Sequence, residues 1–101
     1  MEIKKTVEAT TVKLSLSGRL DTITSGLLND ELETIFFQKE AGDLLFDFSQ
    51  LDYISSSGLR VLLTAQKKVN SLGTKMKIVG ANDTIKEVFE ATGFTEIMDV
   101  S

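Results

Sequence analysis

The sequence predicts an α/β fold in a single domain, with a small mixed β-sheet of four to five strands flanked by about three to four helices. Three observations predict it. Segments of two-residue apolar period alternate with segments of helical period, in the order β-β-α-β-α-β-α. The first two strand segments are separated only by Glu8-Ala9-Thr10, as in an antiparallel hairpin. The later ones are separated by helix-length segments, and such βαβ units pair in parallel through right-handed crossovers. The 101 residues carry no internal repeat, low-complexity tract or linker, so one domain is expected over residues 1–101.

A weak strand runs around Ile3 to Val7. From Thr11 to Ser17 polar and apolar residues alternate strictly, which turns Val12, Leu14 and Leu16 inward. Gly18 is expected to end this strand. Asp21, Thr22 and Thr24 offer N-cap oxygens to a first helix. Leu27, Leu28, Leu32, Ile35 and Phe36 keep helical spacing, with Asp30, Glu31 and Glu33 in early, solvent-facing turns. Ala41-Gly42 stops this helix.

Leu44 to Phe48 is a nearly continuous apolar run, expected as a central strand buried on both faces, with a short polar loop after Ser49. A second helix is expected from about Ser57 to Ser71. Leu59, Leu62, Leu63, Ala65, Val69 and Leu72 would face inward, and Arg60, Thr64, Lys67, Lys68 and Ser71 outward. Gly73 is its C-terminal cap. Lys75 to Val79 alternates as another strand. Asn82 or Asp83 caps a third helix carrying Ile85, Val88 and Phe89 and closed by Gly93. Phe94, Ile97, Met98 and Val100 make a short apolar tail, a last strand or a half-turn on the core.

Composition narrows the function. With 42% hydrophobic and 26% charged residues the chain is globular rather than disordered. Cysteine is absent, so disulfides and thiolate sites are excluded. Histidine is absent as well, which removes the commonest general base and metal ligand. No apolar run approaches the roughly 20 residues that span a bilayer, and no signal region follows Met1. A cytoplasmic protein without membrane insertion is expected. The net charge of −4 argues against direct binding of nucleic acid, so any control of transcription would pass through another protein.

The informative segment is Ser55-Ser56-Ser57-Gly58 at the start of the second helix. A nucleophile elbow needs Gly-x-Ser-x-Gly, whereas Ile54 precedes Ser55, and its triad needs a histidine. Lys67 lies about two and a half turns beyond Ser57, too far along the axis to act as base. Neither glycine-rich phosphate-binding motif occurs. Asp47 and Asp52 are the nearest carboxylate pair for a metal, but they suit a loop anchor and a turn. The residues therefore argue against an enzyme, a metal or a cofactor.

Two readings of the serines remain. One serine at the N-cap satisfies an amide and is worth about 1 kcal/mol. Three adjacent hydroxyls followed by Gly58 also give an exposed hydroxyl beside free amides, open to a kinase. A phosphate would bring about −1.5 to −2 charges. The helix dipole tolerates such charge at this end; a partner with an acidic or apolar surface would not. On chemistry alone Ser55, Ser56 and Ser57 are equivalent.

Asp47-x-Ser49-x4-Ile54-Ser55-Ser56-Ser57-Gly58-Leu59 resembles the signature of the STAS domain, the sulfate transporter and anti-sigma factor antagonist family. Gly18-Arg19-Leu20-Asp21 is similar to its earlier Gly-x-Leu-Asp element, and Ala91-Thr92-Gly93-Phe94 to its C-terminal motif. The resemblance covers essentially the whole chain and implies a STAS-like fold. It implies an anti-sigma factor antagonist. Unphosphorylated, such a protein binds an anti-sigma factor, often also its serine kinase, and frees a sigma factor; phosphorylation breaks the complex and a serine phosphatase restores it. Counting back from Gly58, the phosphorylated serine corresponds to Ser56, with Ser55 and Ser57 as alternatives. Ser55 stands where the family commonly has aspartate, Arg60 where it commonly has glycine, and Arg19 where it commonly has an acidic residue. Asp21 matches a loop aspartate, so the implied partner surface joins Asp21, Ser55, Ser56, Ser57, Gly58 and Arg60. A second expectation is a STAS scaffold subunit of a signalling or lipid-transport complex that is never phosphorylated. A third is a small-ligand or nucleotide site at the turn.

Overall fold

The computed structural model describes residues 1–38 and 42–101. The elements are β1 (Glu2–Glu8), β2 (Thr11–Leu20), α1 (Thr24–Gln38), β3 (Asp43–Ile54), α2 (Ser56–Leu72), β4 (Met76–Val79) and α3 (Asp83–Ala91), then a 3-10 turn (Phe94–Glu96) and β5 (Asp99–Val100). The strands form one five-stranded sheet in the order β1-β2-β3-β4-β5. β1 pairs with β2 antiparallel, through a tight turn in which Ala9 takes a left-handed φ of 53°. The other pairings are parallel. The mixed sheet and helices match the α/β STAS-like fold expected.

The strand pattern explains the layering. Val12, Leu14 and Leu16 of β2, Leu44, Phe46 and Phe48 of β3, and Met76 and Ile78 of β4 are buried. They share one core with Leu28, Leu32 and Ile35 of α1, Leu59, Leu62 and Val69 of α2, and Ile85 and Phe89 of α3. The alternate positions Lys13, Ser15, Leu45 and Asp47 are only half-buried, and Lys77 is exposed. Sequential strand order with right-handed crossovers puts all crossover helices on one side. Its composition suggests a strand buried on both faces, but the run around Leu45 is covered on one, the Leu44, Phe46 and Phe48 side.

The largest departure from expectation lies in β3. Instead of giving way to a loop after Ser49, it continues to Ile54. Two register shifts against β2 make this possible: Ser15 pairs with Asp47 but Ser17 with Gln50, and Gly18 pairs with Leu51 but Arg19 with Tyr53. Each inserts one residue on the β3 side, as a β-bulge does. Burial accordingly passes from every second residue to every third, through Phe48, Leu51 and Ile54. Gly18 does not end β2, which runs on to Leu20; with a φ of 91° it sits at the second shift.

Helix α2 is one residue longer at each end than expected, with Ser55 as N-cap and Gly73 as left-handed C-cap. Asn82, not Asp83, caps α3. Leu27 and Leu72 face solvent, not the core. The stop expected at Ala41-Gly42 falls partly on Ala41, which lies outside the described residues.

Candidate functional site

Parallel strands β2 and β3 end side by side, with Leu20 opposite Ile54, and the Ser55 amide donates to the Leu20 carbonyl at 2.8 Å. Asp21 and the serine turn are thus the next residues out of two adjacent strands. The chain folds that way because Leu20 and Ile54 are both buried and anchor the strand ends in the core.

Asp21 organises the entry to α1. Its Oδ1 accepts from the Thr24 amide at 2.9 Å and the Ile23 amide at 3.0 Å, and the Asp21 amide donates to Thr24 Oγ1 at 2.8 Å. The Thr24 hydroxyl lies 2.7 Å from the Arg19 carbonyl, closing the loop. The Thr24 backbone hydrogen bond, more than the Thr24 hydroxyl, the Ile23 amide or the Arg19 charge, holds the Asp21 carboxyl below its ordinary pKa. Asp21 is therefore a structural cap as well as a surface residue.

The three serines separate in this structure. Ser55 has extended backbone (φ −94°, ψ 171°), and its Oγ accepts from the Gly58 amide at 3.2 Å. Ser56 is exposed, Ser57 half-buried and Gly58 buried. A Cβ on Gly58 would lie 2.7 Å from Leu20 Cγ and 3.1 Å from Ile54 Cγ1. Glycine thus lets the first turn of α2 settle directly onto the two strand ends. Arg60 is exposed and, four residues after Ser56, shares its helix face, where Cβ atoms stand about 5–6 Å apart.

Sequence reasoning also missed two exposed apolar side chains in and just after the Asp21 loop. Ile23 is 83% exposed and Leu27 54% exposed. Leu27 is legible once α1's buried stripe is placed at Ser25, Leu28, Leu32 and Ile35, because it falls off that stripe. Tyr53, opposite Arg19 in the sheet, carries the Arg19 guanidinium 4.1 Å above its ring. A groove of about 340 Å3 lies elsewhere, between α1 and α2, lined by Leu32, Phe36, Val61 and Ala65 among others. Among the described residues no cluster of three or more acidic side chains could hold a metal, and no helix is long and apolar enough to cross a membrane.

Comparison with known proteins agrees with the fold. The family model of the STAS domain matches residues 2–101. The anti-sigma-B factor antagonist of Listeria monocytogenes is 26% identical over 89 residues, covering 88% of this chain and 77% of that one. That of Staphylococcus aureus is 27% identical over 101 residues, covering 100% and 93%. The crystal structure of an anti-sigma factor antagonist from Mycobacterium paratuberculosis superposes with a TM-score of 0.88 at 18% identity, over 98% of this chain and 83% of that one.

Proposed function

This chain belongs to the STAS domain family, and from that premise we propose that it is an anti-sigma factor antagonist that works by partner switching. It acts in the bacterial cytoplasm, as one domain over residues 1–101, and as a binding protein rather than an enzyme. Unphosphorylated, it docks on an anti-sigma factor and so releases a sigma factor. The anti-sigma factor acts as the serine kinase and phosphorylates Ser56, which ends the complex; a serine phosphatase resets it. No cofactor, nucleic acid contact or membrane insertion is required.

The observation that supports this reading is the division of labour at the turn. Ser55 is used as the helix cap, while Ser56 stands exposed. A phosphate on Ser56 would meet the amide end of α2 and the neighbouring Arg60, so the fold tolerates it. The same phosphate would add about −1.5 to −2 charges to a surface whose other exposed residues include Ile23 and Leu27. A partner seated on that apolar surface would lose its fit.

The test is a pull-down with wild type and Ser56→Asp as baits, with partners identified by mass spectrometry. We expect wild type to capture an anti-sigma factor and Ser56→Asp to lose it, with melting temperatures nearly equal. Incubating the captured partner with ATP and wild type should then modify Ser56. Equal capture by both baits, or phosphate only outside residues 55–57, would overturn the switch and favour a scaffold that is never phosphorylated.

A further inference from the structure

The serine turn hangs from the bulged half of β3, and that half is poorly supported on one side. β4 pairs with β3 only as far as Val79 opposite Asp47, so residues 48–54 run on past the end of β4. The loop leaving β4 turns at Gly80, whose φ is 77°. A Cβ there would lie 3.1 Å from both the Ser49 amide nitrogen and Ser49 Cβ, so glycine brings this loop against the bulge.

Two residues later, one side chain serves two elements. Asn82 Oδ1 accepts from the Ile85 amide at 2.8 Å and caps α3, while Asn82 Nδ2 donates to the Leu51 carbonyl at 3.3 Å. Leu51 sits at the second register shift, three residues before Ile54. Ile54 in turn forms part of the floor under Gly58, where a Cβ would find only 3.1 Å of room. Packing that close leaves no slack for Ile54 to shift without moving the first turn of α2.

We propose that Asn82 is a positioning residue for the serine turn: by holding the Leu51 carbonyl it fixes the bulged strand from which Ser55, Ser56 and Gly58 are presented to a partner. The functional meaning of this rests on the partner-switching reading; the positioning itself does not need it.

Asn82→Asp separates the two roles, because aspartate caps a helix as well as asparagine does but cannot donate to the Leu51 carbonyl. Amide hydrogen exchange followed by NMR reads the result without a partner. We expect the Ser55, Gly58 and Leu59 amides of Asn82→Asp to exchange about five-fold faster, the factor of one net hydrogen bond. The Ile85 and Lys86 amides at the α3 cap should keep the wild-type rate. Asn82→Ala should accelerate both sets. Wild-type rates at Ser55, Gly58 and Leu59 in Asn82→Asp would overturn the proposal. So would uniform acceleration through β2 and the core, which marks a general loss of stability. In the pull-down above, Asn82→Asp should hold the captured partner several-fold more weakly than wild type. If wild type captures no anti-sigma factor, the switching reading fails while the exchange rates still decide the role of Asn82.

Discussion

Gly58 is where packing and presentation meet. Replacing it with alanine gains about 0.5–1 kcal/mol of helix propensity. It also drives a methyl to 2.7 Å from Leu20 Cγ, and overpacking of that kind costs roughly 1–3 kcal/mol. We expect Gly58→Ala to be less stable in urea unfolding, and Leu20→Ala in the same chain to cost less than it does alone, a non-additive pair. Ser55→Ala should cost about 1 kcal/mol through the lost cap, whereas Ser56→Ala should change stability by less than about 0.5 kcal/mol. A reversed order would mean that Ser56, not Ser55, caps α2. Asp21 supplies a pH test. Its folded pKa is depressed, chiefly by the Thr24 amide, so its contribution is present above the ordinary aspartate range and lost as pH falls through the folded value. The stability difference between wild type and Asp21→Asn should be constant above about pH 5 and shrink below about pH 4. A pH-independent difference would rule out a depressed carboxyl.

The elements show what the sequence could and could not disclose. Regular periods were legible: strict alternation in β2, the apolar stripe of α2 from Leu59 to Val69 and the N-cap of α3 all appear where their spacing puts them. β3 was not, beyond Phe48, because two inserted residues change its period from two to three and make Ser49-Gln50 and Asp52-Tyr53 look like loop. Which serine caps α2 was equally hidden, since three adjacent hydroxyls differ only in backbone geometry, and the extended ψ of Ser55 decides it. The apolar flank of the site escaped notice because Leu27 keeps a helical interval to its neighbours yet lies one step off the buried stripe. This flank gives its own prediction. Ile23→Ser with Leu27→Ser should weaken binding of the captured partner about ten-fold or more, as loss of an apolar interface anchor does. Thermal stability should hardly move, because both residues are solvent-exposed. Unchanged binding would remove α1 from the partner surface.

At the scale of the molecule, stability is concentrated on the helix-covered side of the sheet. Phe46, Phe48, Phe89 and Phe94 form a run of ring contacts with centroids 5.9, 6.5 and 6.4 Å apart, joining β3 to α3 and the C-terminal turn. Phe48→Ala at the centre of that run should cost about 3–5 kcal/mol, a large share of the roughly 5–15 kcal/mol typical of a domain. Chemical denaturation measures this directly, and a loss below about 1 kcal/mol would show that the rings do not act as one core. Element order made the mixed sheet legible from the sequence. The uncovered face was not, because a short apolar run looks the same whether helices lie on one side of it or on both.

The antiparallel hairpin has a practical consequence for anyone labelling this protein. Because β1 runs back along β2, Glu2 lies opposite Ser17, and Met1 Cα lies 3.5 Å from where a Gly18 Cβ would stand. A bulky fluorophore placed at Met1 would therefore stand beside Gly18, three residues upstream of Asp21, and crowd the surface it was meant to report on. A probe at Ser101 stands farther away: its amide is fixed to the Ile78 carbonyl at 2.9 Å, beside the opposite edge of the sheet.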